Sequence, residues 1–199
     1  MADAQAAPAA ASEKSAHDRL FELFKESDEA NLKRNPLQAL FRGDYRYADR
    51  LGDMFSDAHY QAERAAAQHD LGALEAIPRG DLKADDQIAY DVFEFQTKDT
   101  LRGLQPDLLV LTEALPMNHF FGLHTEYPTL SSGQGGAPYA SVQDYENSLK
   151  RDREFAANID EAIRQWRKGE AEGVVDTRLT VKNMIEQLNN QLKLKPEES

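Results

Sequence analysis

SVQDYENSLKRDREFAANIDEAIRQWRKG, residues 141–169, decides the fold. Val142, Tyr145, Leu149, Ala156, Ile159, Ile163 and Trp166 recur with a seven-residue period. That period sets apolar side chains along one side of a helix. Ser141 and Asp144 form a capping-box variant, in which each side chain satisfies a backbone N–H that a first helical turn leaves unpaired. Asp152 stands where the repeat expects an apolar residue. Its position predicts a seam edge or a pairing with a neighbouring Arg, against the alternative of a functional buried carboxylate. Trp166, on the repeat, is expected in the core rather than as a ligand platform. Lys168-Gly169 and Gly173 end the helix.

Outward from this segment almost every periodic stretch is helical. On the C-terminal side, Asp176 or Thr177 caps a helix carrying Val181, Met184, Ile185, Leu188 and Leu192. On the N-terminal side, residues 116–139 hold three prolines, four glycines, two histidines and several aromatics, with almost no helical period. So long an irregular stretch in a compact domain is usually functional or mobile. Leu108–Leu115 is apolar and reads as a buried turn of helix or a short strand, with length favouring helix. Before it, a helix runs from about Ala84 to Leu104, with Ile88, Val92 and Phe95 on one face, widened by Ala89 and Phe93, and Pro106 closing it. Ser56 caps another helix to about Leu74. Ser15 to about Lys33 is a further helix, broken at Asn35-Pro36; Leu37–Phe41 is a short segment and 44–53 a turn-rich loop. The class is therefore all-α: an irregular bundle of about five main helices with one long aromatic/Gly/Pro loop. The expected organisation is a disordered tail over 1–14, one helical domain over 15–194 and a polar tail over 195–199.

Composition removes several function classes. The chain has 199 residues, and 35 acidic against 23 basic groups give a net charge of -12. Nucleic-acid affinity comes mainly from neutralising phosphates with Lys and Arg, and attraction to an anionic membrane needs the same charges, so both are disfavoured. With no cysteine there is no disulfide, thiolate metal site or cysteine nucleophile. No apolar run approaches the roughly 20 residues that span a bilayer. Residues 2–12, ADAQAAPAAAS, are too poor in large apolar groups to pack. They read either as the mature start of an exported protein whose signal has been removed or as an ordinary tail of a cytoplasmic one.

No catalytic constellation is legible. A helical zinc hydrolase needs two histidines one turn apart with a glutamate beside them, and none of His17, His59, His69, His119 and His124 has that spacing. His119, His124 and Glu126 share the irregular loop, and a metal site there is the minority reading; a histidine bonded to backbone or facing a cleft is the alternative. Ser131 and Ser132 lack a G-x-S-x-G elbow, and no glycine-rich loop links a strand to a helix. Asp85-Asp86 complement a helix N-terminus. Arg151/Arg153 and Arg164/Arg167/Lys168 are expected on a solvated face.

Taken in order, Asn35-Pro36 to Gly43, YADRL (47–51), LKADDQIAY (82–90), Tyr127-Pro128, SVQDYEN (141–147), GEAEGVV (169–175), Arg178, Val181 and Ile185–Gln187–Leu188 resemble the N-terminal third of the bacterial domain of unknown function 885 family. The resemblance implies a helical, exported protein or lipoprotein of several hundred residues, similar to gluzincin-type zinc peptidases. It puts the zinc-binding helix downstream of Ser199, so zinc is implied only there and no cofactor, metal ligand or catalytic residue carries over to this chain. What carries over is position: a scaffold beside a peptide cleft, with His119, Phe120, Phe121, His124, Glu126 and Tyr127 as cleft-lining candidates. The expected function is a non-catalytic scaffold, inactive alone. Its partner would be the missing C-terminal half or a second copy, with a peptide as substrate of the whole. The alternative is a self-sufficient helical binding module using the 116–139 loop; a small metal enzyme is the third possibility.

Overall fold

A computed structural model describes residues 14–195. The tails expected over 1–14 and 195–199 therefore lie, apart from Lys14 and Lys195, outside the described residues. Among these the chain forms α1 (Ala16–Arg34), α2 (Pro36–Phe41), α3 (Asp57–Glu75), α4 (Ala84–Gly103), α5 (Pro106–Ala114), α6 (Leu123–Ser131), α7 (Val142–Glu172) and α8 (Arg178–Gln191), with short 3-10 turns at Tyr45–Tyr47 and Arg79–Asp81. It has no strand among those residues, so the class is all-α. The caps follow the residue chemistry. Ser15, Ser56 and Thr177 accept from the backbone N–H groups of Asp18, His59 and Thr180, and Ser141 with Asp144 completes the capping box. α7 stops at Gly173, whose φ of 79° a side chain would disfavour.

Beyond the five expected main helices the described residues hold three short ones: α2 over the short segment expected at 37–41, α5 over the apolar stretch whose length favours helix, and α6, which was not expected. Pro106, read as a terminator, instead opens α5 at a position where no backbone donor is needed. Within the expected loop lies α6, nine residues long with Pro128 inside it. An interior proline lacks the N–H that would bond the carbonyl four residues back, here His124. Gln191 of α8 supplies the missing donor, its Nε2 lying 2.7 Å from that oxygen.

Two larger cores and a small cluster of Tyr60, Leu104 and Leu109 hold these helices. Leu20 and Leu23 of α1, Leu74 of α3, Ile77, Leu82 and Tyr90 of α4 make the first, with Phe24 and Phe93 packed against it at 4.9 Å between ring centroids. Leu40, Leu51, Phe55, Met117, Leu123, Tyr127, Leu130, Ala162 and Met184 make the second, drawn from α2, the loop before α3, α6, α7 and α8. α4 meets its neighbours through Asp86, Tyr90 and Thr97, so the face carrying Ile88, Val92 and Phe95 points to solvent, where Phe95 is 71% exposed.

α7 is inverted in the same sense. Its apolar repeat lies largely outside: Val142 is 76% exposed and Leu149 60%, while only Ile159 and Trp166 pack against the core. The buried face is polar and small: Ser148, Arg151, Asn158, Ala162, Gln165 and Gly169. The reason is the partner it packs on. Residues 48–56 are not helical, so their backbone groups need donors and acceptors from elsewhere. Glu154 Oε2 accepts from Leu51 N and Gly52 N at 2.6 and 2.9 Å. Asn158 accepts from Met54 N at 2.9 Å and donates to Gly52 O at 2.8 Å. Gln165 donates to Phe55 O at 2.8 Å, and Arg151 donates to Ala48 O. Arg151 is thus buried rather than solvated, and its Nε and Nη2 find no partner among the described residues. Arg164 pairs with Asp57 and Glu161, and Lys168 with Glu113. Asp152 sits exposed at the seam edge and pairs with Tyr127 rather than an Arg.

Candidate functional site

The segment between α5 and α6 is built around one side chain. Asn118 Oδ1 accepts from Phe120 N at 2.8 Å and Phe121 N at 3.1 Å, while Asn118 N donates to Phe121 O at 2.9 Å. This tight turn thrusts both rings outward, 71% and 70% exposed. His119 packs on Phe120, with centroids 4.0 Å apart. Gly122, at φ 151°, lets the chain turn into α6; a Cβ there would lie 2.8 Å from Met117 Cβ and 3.0 Å from His124 Nδ1.

α8 clamps this segment through two glutamines one turn apart. Gln187 Nε2 donates to His119 O at 2.9 Å, and Gln191 Nε2 donates to His124 O. His124, 4% exposed, holds Nε2 at 3.4 Å from Gln187 Oε1. A carboxamide oxygen only accepts, so this contact is a hydrogen bond when His124 carries its proton on Nε2. Its Nδ1, like that of His119, has no partner among the described residues. Tyr127 stacks on Phe155 at 4.4 Å and donates to Asp152 Oδ1 at 2.6 Å. Burial first, then that carboxylate, pushes the Tyr127 phenol well above its ordinary range.

The six candidates are therefore divided rather than gathered. Phe120 and Phe121 are presented to solvent, His124 and Tyr127 are buried in the core, His119 is half-buried against Phe120, and Glu126 is exposed in the first turn of α6. No three of the His, Asp and Glu side chains among the described residues are grouped to hold a metal ion. His119, His124 and Glu126 are thus not brought together as a three-ligand set.

A second feature was not legible as a site. Between the end of α7 and α8 runs a groove of about 470 Å³, lined by Ala114, Trp166, Val174, Val175, Val181, Met184, Ile185 and Leu188 together with Glu170 and Asp176. Met184 is the one α8 residue that is fully buried. Burial raises the Asp176 carboxyl above its ordinary range, with His119 pulling weakly the other way. Trp166 was expected as core; it is half-buried and forms part of this wall. None of the six candidates lines the groove.

A family model described as bacterial protein of unknown function (DUF885) matches residues 36–199. The chain belongs to that family. No curated protein and no solved structure matches it. The DUF885 match opens at Pro36, the first residue of α2, so it takes in the clamped segment, the groove and the whole second core and leaves α1 outside.

Proposed function

We propose that this chain is a non-catalytic helical scaffold of a larger, exported metallopeptidase-like protein, walling a peptide cleft whose zinc chemistry is held by other residues. The observation that carries the reading is α7. A long helix that turns a seven-residue apolar repeat to water, while burying a polar face, is built to be covered on its apolar side. The outward stripe on α4 (Ile88, Val92, Phe95) and the exposed Leu179, Ile185 and Leu188 of α8 add to the surface to be covered. Two of the candidate residues with reactive chemistry are engaged in structural contacts: His124 Nε2 with Gln187 and Tyr127 with Asp152.

The test is the behaviour of the 199-residue chain in solution. Sedimentation and binding of a hydrophobic dye are expected to report self-association or exposed apolar surface, with no peptide hydrolysis with or without added zinc. A monomer that melts in one sharp transition without binding dye overturns the reading. So does hydrolysis that is abolished by altering one of the chain's own side chains. One observation favours a second reading, a binding module using the loop: the Phe120–Phe121 pair is presented on a braced turn. That reading requires the same monomer, with a ligand lost on Phe121→Ser.

A further inference from the structure

The α7–α8 groove differs in chemistry from the other apolar surfaces of the molecule, and the difference selects an occupant. Its walls are apolar, but the charged groups lining it are both carboxylates, Glu170 and Asp176. Neither side chain is engaged in a hydrogen bond or ion pair among the described residues, whereas Lys168 and Arg164, close by on α7, are committed to Glu113 and to Asp57 and Glu161. Desolvation makes an unpaired carboxylate costly, and a cation brought against it recovers that cost. Along the trough, Val181, Ile185 and Leu188 stand at spacings of four and three, with Leu192 continuing the row. This is the pattern that meets the apolar stripe of another helix.

We infer that the α7–α8 groove docks a basic amphipathic helix, whose apolar stripe enters between Trp166, Met184 and Leu188 and whose lysines or arginines meet Glu170 and Asp176. This rests on the scaffold reading and names the chemistry of one segment that covers it. A free aliphatic cation is too small to span the row from Val181 to Leu192, which at 1.5 Å per residue is roughly 16 Å long. An acidic or purely apolar helix docked there would cover the exposed Glu170 and the half-buried Asp176 without bringing a cation to either.

Trp166 is the only tryptophan of the chain, so its emission reports the groove directly. The 199-residue chain is titrated with a synthetic helical peptide of roughly 18 residues, leucine along one stripe and lysine elsewhere, and with a glutamate counterpart of identical leucine pattern. The lysine peptide is expected to shift Trp166 emission to the blue and saturate; the glutamate peptide is expected to leave it unmoved. Glu170→Gln with Asp176→Asn, and separately Leu188→Glu, are each expected to weaken the lysine peptide roughly tenfold. Both change surface groups, and unaltered far-UV circular dichroism shows that folding is retained. An unmoved Trp166, equal binding of both peptides, or variants within about twofold of the parent overturn the inference. A chain that self-associates yet ignores the peptide loses this groove and keeps the scaffold reading; a dye-silent monomer that binds it loses the scaffold reading alone.

Discussion

Replacing Asn158 by alanine tests the inversion of α7 most directly. Asn158 is 5% exposed, accepts from Met54 N and donates to Gly52 O, both in the irregular segment before α3. Alanine leaves one donor and one acceptor unmet, each worth about 1–3 kcal/mol when buried. Better helix propensity returns about 0.5 kcal/mol. The neighbouring cavity lined by Gly52, Asp53, Ser56, Asn158 and Glu161 admits water to part of the break. The expected loss is about 3 kcal/mol, roughly 6–12 °C in melting temperature for a chain of this size. The companion is Leu149→Asn, at a position 60% exposed. On an ordinary amphipathic helix that change would open the core; here it is expected to cost less than about 0.5 kcal/mol and to reduce self-association. Urea unfolding followed by circular dichroism, at dilutions where the chain is monomeric, measures both. If Asn158→Ala stays within about 0.5 kcal/mol of the parent, or Leu149→Asn costs more than about 1 kcal/mol, the polar face is not what holds α7 in place.

Four further outcomes follow from the packing. Gly169→Ala would set a Cβ 2.6 Å from Ala114 Cβ and 2.8 Å from Val174 O, so it is expected to destabilise by about 1–3 kcal/mol despite better helix propensity. Gly72→Ala meets nothing within 4 Å and is expected to stabilise by about 0.5–1 kcal/mol in the same thermal melts. Burial, with Glu113, Asp53 and Asp57 adding to it, pushes the Tyr60 phenol up to about 12 from its ordinary 10. The folded state therefore holds that proton more tightly than the unfolded chain. Stability is complete below pH 10 and falls as pH rises toward 12, and Tyr60→Phe should flatten part of that decline in alkaline unfolding. Gln191→Ala frees the His124 carbonyl. It is expected to speed amide hydrogen exchange across residues 118–128 while leaving the α1–α3–α4 core unchanged; uniform acceleration would refute the clamp.

Much of the helical layout was legible because it rests on local chemistry. Ser56 and Ser141 cap the helices expected of them, Thr177 rather than Asp176 caps α8, and Ser15 caps the helix expected to begin there, since a hydroxyl that satisfies a first-turn N–H does so wherever the helix ends up packing. α6 was not legible because its stability is partly borrowed: Pro128 argues against a helix until Gln191, far along the chain, replaces the missing donor. The 116–139 stretch stands out in sequence for its texture, but texture could not reveal α6 within it or divide its aromatic and histidine side chains into a presented pair and buried ones. That division depends on Gln187 and Gln191, which look like ordinary surface glutamines in sequence.

The face of α7 is the instructive case, because both answers were written in the same stretch. The apolar repeat Leu149, Ala156, Ile163 is shadowed, one residue earlier in each period, by Ser148, Phe155 and Ala162. A third row runs Arg151, Asn158, Gln165 with the same period, beside Asp152, Ile159 and Trp166. One residue is about 100° around a helix, so the two sets cannot both face the same neighbour. Hydrophobicity alone selects the first set for burial. Backbone accounting selects the second, because YADRLGD, residues 47–53, is too rich in turn residues to bond within itself and must borrow partners. Arg, Asn and Gln at seven-residue spacing are what a helix needs to serve such a segment. The apolar set is then left over, and Ile159 and Trp166, at the border between the two, are half-covered. Periodicity reports which side of a helix dislikes water; it does not report whether this chain is the one that shields it. For α7 that side is left uncovered among the described residues, and the proposed scaffold role rests on that exposure.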